Sequence, residues 1–185
     1  MNIEIIQQFP VIASVVDEED LAKALKSEVS VIFILYGNIM TLPEIVNRIK
    51  KSEKYALVHL DFIDGFSNHE SILDYVKIIY KADGIITTKR NLIAPAKKRG
   101  LFAILRFFTV DYTSIGKLCE LVQAAKPDIV EVMPALATKV IEELKEKISV
   151  PIIAGGLLNS KKEVNAALSA GAIGVSAGKE HVWNL

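Results

Sequence analysis

Two turns of small residues near the carboxyl end of the chain could bind a phosphate group. The candidate phosphate-binding residues are Gly155, Gly156, Ser176, Ala177 and Gly178. Small residues let backbone N–H groups approach an anion because no Cβ stands in the way. Each turn follows a short apolar run, and one helix-like segment separates them, as in the last two units of a β/α barrel. The spacing predicts a site for a phosphorylated small molecule.

Ionisable side chains follow or end several of the other apolar runs. They form a candidate ligand pocket that consists of His59, Asp61, Lys89, Arg106 and Glu131. If the runs are parallel strands of a barrel, their carboxyl ends meet at the functional face. A buried carboxylate needs a partner, so an ion pair with Arg106 or Lys89 is a better prediction for Glu131 than a catalytic base. His59 fits a ligand contact and a core histidine bonded to a carboxylate equally well.

Neither a metal site nor a cofactor is expected, and no catalytic residue is assigned. The three histidines are far apart in sequence and have no i, i+4 spacing. The single cysteine, Cys119, lies in a predicted helix, so a disulfide framework and a thiolate metal site are both excluded. A serine nucleophile motif of the G-x-S-x-G form is also absent.

Eight apolar runs must position these groups, and segments with helical periodicity separate them. The runs are Val11–Val15, Val31–Leu35, Tyr55–Leu60, Gly84–Ile86, Phe102–Phe107, Asp128–Val132, Pro151–Ala154 and Ile173–Val175. Short, continuously apolar runs are typical of parallel strands that are covered on both faces. With about seven helices, they predict one TIM-type (β/α) barrel domain over residues 1–185. The alternative is an open, doubly wound sheet.

The predicted barrel is minimal and irregular at its end. Only ten residues follow Val175, too few for a full last helix, so Lys179–Trp183 is expected to form a single turn. The chain is 51% hydrophobic and 24% charged with a formal net charge of +0, which is typical of a globular protein. Neither a signal peptide nor a membrane span is apparent, so we expect a cytoplasmic protein.

A local basic cluster follows the fourth apolar run. The candidate RNA contacts in this cluster are Arg90, Lys97, Lys98 and Arg99. On charge alone, a solvated helix face explains such a cluster. Contacts with nucleic-acid phosphates are the alternative interpretation.

Ordered motifs along nearly the whole chain resemble one regulatory family. They are Phe9–Ser14, His59–Ser67, Asp83–Lys89, Arg106, Asp128–Pro134, Ile153–Leu157 and Lys179–Trp183. In this order they are similar to the glycerol-3-phosphate-responsive antiterminators. The resemblance implies a bacterial barrel protein that senses glycerol 3-phosphate. It also implies binding to the leader mRNA of a glycerol-catabolism operon, which permits transcription past a terminator.

Two departures from the family pattern concern the ligand. Relatives resemble Ser-Thr-Ser after the last strand, whereas this chain has Ser176-Ala177-Gly178, which retains backbone phosphate binding but lacks a second hydroxyl. Met133-Pro134-Ala135 replaces a turn that resembles Leu-Pro-Gly. Because a sensor and an enzyme can share such a pocket, a second hypothesis is a barrel enzyme, an isomerase or synthase acting on a phosphorylated sugar or triose. In that case His59, Asp61, Lys89 and Glu131 would supply acids and bases. Assembly into a homo-oligomer stays open.

Overall fold

Eight parallel strands close into a barrel in the computed structural model, which describes residues 1–111 and 113–185. The strands are β1 (Val11–Val15), β2 (Val31–Ile34), β3 (Tyr55–His59), β4 (Gly84–Thr87), β5 (Phe102–Phe108), β6 (Ile129–Met133), β7 (Ile152–Gly155) and β8 (Gly174–Ala177). Each strand pairs with the next in chain order, and β8 pairs with β1. The barrel prediction is confirmed and the open sheet is wrong, with strand ends within two residues of those expected.

Helices alternate with the strands and cover the outside of the barrel. They are α1 (Ile3–Gln8), α2 (Glu18–Ala24), α3 (Leu42–Lys51), α4 (Ile72–Asp74), α5 (Arg90–Lys98), α6 (Thr113–Ala125), α7 (Thr138–Lys147), α8 (Lys161–Ser169) and α9 (Glu180–Trp183). A 3₁₀ turn spans Leu60–Phe62, and a π-helical turn, Tyr75–Ile79, continues α4. In the described residues, no helix combines the length and the apolar character that crossing a bilayer requires.

Side-chain caps explain where two of these helices begin. The Asp17 carboxylate accepts a hydrogen bond from the Asp20 N–H at 2.8 Å at the start of α2. The Ser160 hydroxyl accepts one from the Glu163 N–H at 3.3 Å at the start of α8. Such caps satisfy N–H groups that have no partner inside the helix. Thr41 precedes α3 without a side-chain cap bond of its own.

The amino end of the barrel is closed by α1, which the sequence analysis did not identify. Ile6 of α1 is fully buried and packs with the apolar side chains inside the barrel. Those side chains are Ile12, Val31, Phe33, Leu57, Ile86, Ile104, Ile129 and Ile153. Gly174 makes room for this packing, since a Cβ there would lie 2.7 Å from Ile6 Cγ2. Apolar side chains thus fill the barrel interior toward its amino end, and the polar side chains lie at its carboxyl end.

The last turn of the chain is anchored by a tryptophan. The expected single turn is present as α9, and it packs against α2 and β1. Trp183 is buried, and its Nε1–H donates a hydrogen bond to the Ala177 carbonyl at 2.7 Å. The carbonyl belongs to the end of β8, so the tryptophan holds the β8–α9 segment in place without a full helix.

Candidate ligand-binding site

A buried polar network lies at the carboxyl ends of β5, β6 and β8. Arg106 and Glu131 are register partners on neighbouring strands. Arg106 Nε donates to Glu131 Oε2 at 2.6 Å, and Nη2 donates to Oε1 at 3.3 Å. The Ser176 hydroxyl also donates to Oε1. The expected ion pair of Glu131 is therefore confirmed, with Arg106 as the partner instead of Lys89.

Gly155 at the end of β7 makes this network possible. A Cβ at this position would lie 2.6 Å from both Glu131 Oε1 and the Ser176 hydroxyl oxygen. These distances are far below van der Waals contact, so any side chain here would displace the network. Gly155 thus has a structural reason to be glycine, and its direct contact with a phosphate stays a prediction.

A cavity of about 300 Å³ opens beside the network. Arg106 and Ser176 line it, together with the predicted Gly156, Ala177 and Gly178. The structure thus brings five of the ten predicted site residues to one cavity. It adds residues that sequence reasoning did not assign to the site: Ser14, Leu35, Met133, Leu157, Leu158 and Lys179. Lys179 carried a signal, because it directly follows the last small-residue turn.

The two small-residue turns contain backbone N–H groups that no described residue accepts a hydrogen bond from. Among the residues that the structure describes, the N–H groups of Gly156, Leu157, Gly178 and Lys179 have no hydrogen-bond partner. Gly156 and Leu157 both have left-handed backbone conformations, with φ of 79° and 62°. Successive N–H groups in such turns form concave anion sites.

Gly178 differs from the other glycines of the site because the fold does not require it. Its φ lies outside the left-handed region, and the nearest atom to an added Cβ would be the Ser14 carbonyl oxygen at 3.7 Å. That distance is an ordinary van der Waals contact. Gly156, in contrast, has a positive φ, and a Cβ there would lie 2.7 Å from Met133 Cε. The space above Gly178 is therefore open to a ligand.

Asp61 lies after β3 and is held by groups from the end of β4. It accepts hydrogen bonds from the Thr88 N–H at 2.8 Å and from the Thr87 hydroxyl at 3.3 Å. Lys89 Nζ lies 3.1 Å from Asp61 Oδ1 and also contacts the Asn68 side-chain oxygen. Burial favours the neutral carboxyl, but the Thr88 N–H and Lys89 outweigh it and hold the pKa of Asp61 below its usual range.

His59 is fully buried between the two groups of polar residues. Neither ring nitrogen has a hydrogen-bond partner among the described residues. Nδ1 lies 3.6 Å from Asp61 Oδ2, which is too long for a hydrogen bond. The ring meets Phe62 edge-on, with centroids 4.6 Å apart. Burial, reinforced by the Arg106 charge, lowers the pKa of His59 to about 3, so the imidazole is neutral. The interpretation as a carboxylate-bonded core histidine is wrong.

The basic cluster is divided between the two ends of α5. Arg90 begins the helix at the ligand end of the barrel, whereas Lys97 and Lys98 end it. Lys97 pairs with Asp128 at 2.8 Å, and Arg99, just after the helix, forms two hydrogen bonds with Asp74. Arg90 and Lys98 are exposed and form no ion pair within residues 1–111 and 113–185.

Comparisons with known proteins match this chain over nearly its whole length. The family model described as "Glycerol-3-phosphate responsive antiterminator" matches residues 11–183. The uncharacterized protein YgcP of Escherichia coli (strain K12) is 39% identical over 183 residues, which cover 99% of this chain and 96% of that protein.

Two solved structures agree with that match. The glycerol uptake operon antiterminator regulatory protein of Listeria monocytogenes is 29% identical, with a TM-score of 0.89 and 94% of each chain covered. A glycerol uptake operon antiterminator-related protein of Thermotoga maritima is 30% identical, with a TM-score of 0.83, and the match covers 94% of this chain and 96% of that one. The chain belongs to the family of glycerol-3-phosphate-responsive antiterminators.

Proposed function

We propose that this protein binds glycerol 3-phosphate in the cavity beside β7 and β8 and thereby controls its binding to the leader mRNA of a glycerol-catabolism operon. The observation that carries the proposal is the set of unpartnered N–H groups in the Gly156–Leu157 and Gly178–Lys179 turns, in a member of this family. Barrel proteins bind phosphate at this position, at the loops that follow the last two strands.

The charges around the cavity support an anionic ligand. Glu131 offsets the charge of Arg106, but Arg106 Nη1 makes no hydrogen bond to the described residues and Arg106 lines the cavity. Lys179 is exposed, lines the cavity and forms no ion pair with any described side chain. One free cation and several backbone dipoles suit a phosphate monoester, since both act as fixed positive charge.

The enzyme hypothesis receives less support from the same geometry. Its two carboxylates are already engaged, Glu131 by Arg106 and Ser176, and Asp61 by Thr88 and Lys89. A catalytic base needs a lone pair within reach of a substrate proton. Carboxylates with these partners position cations and turns instead of transferring protons, which favours a sensor.

Ligand binding is tested by thermal unfolding with glycerol 3-phosphate and with glycerol. Glycerol 3-phosphate should raise the melting temperature, because a ligand that binds only the folded state stabilises it, and glycerol should not. Gly178→Asp should abolish the shift by placing a carboxylate against the phosphate. Gly116→Asp is the matched control, because an added Cβ at Gly116 meets no atom of the described residues within 4 Å and the residue lies on α6, outside the cavity. Absence of a shift at millimolar ligand would contradict the proposal.

The β4–α5 junction joins Lys89, a residue of the predicted ligand pocket, to Arg90, one of the candidate RNA contacts. The Lys89 N–H donates to the Thr87 hydroxyl at 3.1 Å, and the Lys89 ammonium group contacts Asp61. Arg90 is the next residue and begins α5. A ligand that favours one arrangement of this junction would change the presentation of Arg90, provided that the junction has two arrangements.

RNA binding is tested by gel shifts with the leader transcript at several salt concentrations. Arg90→Glu combined with Lys98→Glu should weaken binding and reduce its salt dependence, because these exposed cations have no ion-pair partner among the described residues. Lys26→Glu combined with Lys51→Glu changes charge equally on the α2–α3 side and is the control. A wild-type protein that never shifts the transcript would remove the RNA part and leave ligand binding intact.

A further inference from the structure

His59 is the one buried polar side chain of the site whose hydrogen-bonding groups the protein leaves unused among the described residues. Both ring nitrogens are shielded from solvent and have no partner. A buried polar group without a partner destabilises the fold, because it gives up its hydrogen bonds to water and gains none in return. Native structures seldom tolerate such a group without a ligand, an ion or an ordered water as its partner.

His59 does not itself line the cavity of the proposed ligand site, but residues close to it in the barrel do. The β2–β3 register pairs Ile34 with Val58, so Leu35 and His59 are the next neighbours, and Leu35 lines the cavity. On the other side, β4 pairs His59 with Ile86, and the β5 partner of Ile86 is Ile104. Arg106 follows two residues later on the same face of β5 and also lines the cavity. One cavity-lining residue is therefore next to His59 on β2, and a second lies two strands away on β5.

The two carboxylates that the sequence predicts for the ligand pocket are already bonded within the protein. The Glu131 carboxylate accepts three hydrogen bonds from Arg106 and Ser176. The Asp61 carboxylate is held by Thr87, Thr88 and Lys89. Among the fully buried side chains of the site that the structure describes, His59 alone retains both a donor and an acceptor without partners. A neutral imidazole offers one N–H and one lone pair, so it can donate to a hydroxyl or accept from it.

We propose that His59 determines specificity by hydrogen-bonding a hydroxyl of the bound phosphorylated polyol, while the β7 and β8 turns hold its phosphate. This assignment rests on the proposed function, since it requires the phosphate site. The ligand class is then a short polyol phosphate, and phosphate esters without hydroxyls bind poorly because they leave the imidazole buried and unpaired. A site built to bond a hydroxyl rejects the analogue without it far more strongly than an apolar pocket rejects a missing methylene group.

The test compares dissociation constants for glycerol 3-phosphate and n-propyl phosphate, measured by calorimetry on the wild type and on His59→Phe. The wild type should prefer glycerol 3-phosphate by at least about tenfold. His59→Phe keeps an aromatic ring without nitrogen atoms, so the preference should fall to about onefold while propyl phosphate binds as before. Phe33→Leu, inside the same barrel, is the control: it removes a buried ring without polar atoms and should leave the preference unchanged.

Each result decides a different point. An unchanged preference in His59→Phe would overturn the assignment and leave the proposed function standing. A wild type that binds neither ester would overturn the proposed function, and the assignment with it. Should His59→Phe fail to fold, ¹⁵N chemical shifts of the three imidazoles in the wild type decide instead. Glycerol 3-phosphate should move the His59 ring signals and propyl phosphate should not, whereas equal shifts with both esters would overturn the assignment.

Discussion

The two halves of the barrel mouth treat their buried polar groups differently. On the β5–β8 half, Arg106, Glu131 and Ser176 bond to one another, and Gly155 leaves the space that they need. On the β3–β4 half, Asp61 is bonded but His59 has no partner among the described residues. The first half is a completed network that stabilises the fold and fixes Arg106. In the second half, the described residues leave both ring nitrogens of a buried histidine without a partner.

This difference separates polar side chains that are bonded within the protein from His59, which has no partner among the described residues. A satisfied buried ion pair contributes to geometry, and breaking it leaves an uncompensated charge. A buried polar group without a partner destabilises the ligand-free protein. A ligand that supplies the missing hydrogen bond offsets that destabilisation. The N–H groups of the β7 and β8 turns, on the β5–β8 side, also have no partner in the described part of the chain. The β3–β4 side, where a buried side chain is unpaired, is called the receptive half below.

The largest effect is expected from breaking the completed network. Glu131→Ala leaves the Arg106 charge, whose side chain is 4% exposed, without its partner. We expect the free energy of unfolding to fall by about 3–5 kcal/mol in urea titrations. Glu142→Ala removes an exposed carboxylate on α7 and should change the free energy of unfolding by less than about 0.5 kcal/mol. Equal effects of the two substitutions would show that the network does not stabilise this half.

A smaller effect is expected from crowding the network. Gly155→Ala places a methyl group 2.6 Å from the oxygens of Glu131 and Ser176. Overpacking of this kind destabilises by about 1–3 kcal/mol. Gly178→Ala meets only the Ser14 carbonyl at 3.7 Å and should change stability by less than about 0.5 kcal/mol. Thermal unfolding of the two variants compares them, and a similar loss in both would refute the distinction between the two glycines.

The dependence of stability on acid pH tests whether His59, in the receptive half, is neutral and buried. The pKa of His59 is about 3 in the folded protein, against an ordinary histidine pKa of 6.5. The unfolded chain therefore binds more protons below about pH 6.5, and His59 lowers stability progressively as the pH falls toward 3. His59→Phe should remove a slope of up to about 1.4 kcal/mol per pH unit in that range. Asp61, Lys89 and Arg106 surround the ring in both proteins. Parallel stability curves of the two proteins would contradict a neutral, buried His59.

The smallest effect is expected from the half-buried ion pair between Lys89 and Asp61 in the receptive half. Lys89 is 34% exposed, and its contact with Asp61 is screened by solvent. Lys89→Met should lower the free energy of unfolding by no more than about 1 kcal/mol. The measurement is the same urea titration as for Glu131→Ala. A loss as large as that of Glu131→Ala would remove the contrast between the two halves.

Much of the fold could be predicted because its elements have local patterns. Continuous apolar runs predicted all eight strands, and the small number of residues after Val175 predicted a single last turn. The helix α1 was missed because it is only six residues long, too short to show a clear helical period. Its role at the amino end of the barrel depends on where Ile6 meets Gly174, which are distant in sequence.

The candidate site was predictable in position and less so in its pairings. Polar residues at the strand ends indicated the mouth of the barrel, and Glu131 was expected to need a cation. The choice of Arg106 over Lys89 follows from strand register, which places Arg106 opposite Glu131. Lys179 was missed as a site residue because a single lysine after a turn looks the same whether it lines a cavity or faces solvent.

The amino-acid sequence was enough to predict the barrel, the end of the barrel at which the polar side chains cluster and the family to which the chain belongs. These features follow from local periodicity and from residue types at strand ends, which neighbouring residues encode. Which polar atoms are paired, and which have no partner among the described residues, could be seen only in the folded structure. The unbonded His59, the open space above Gly178 and the divided cations of α5 all depend on contacts between distant residues. Such contacts are set by register and packing, and no local pattern specifies them.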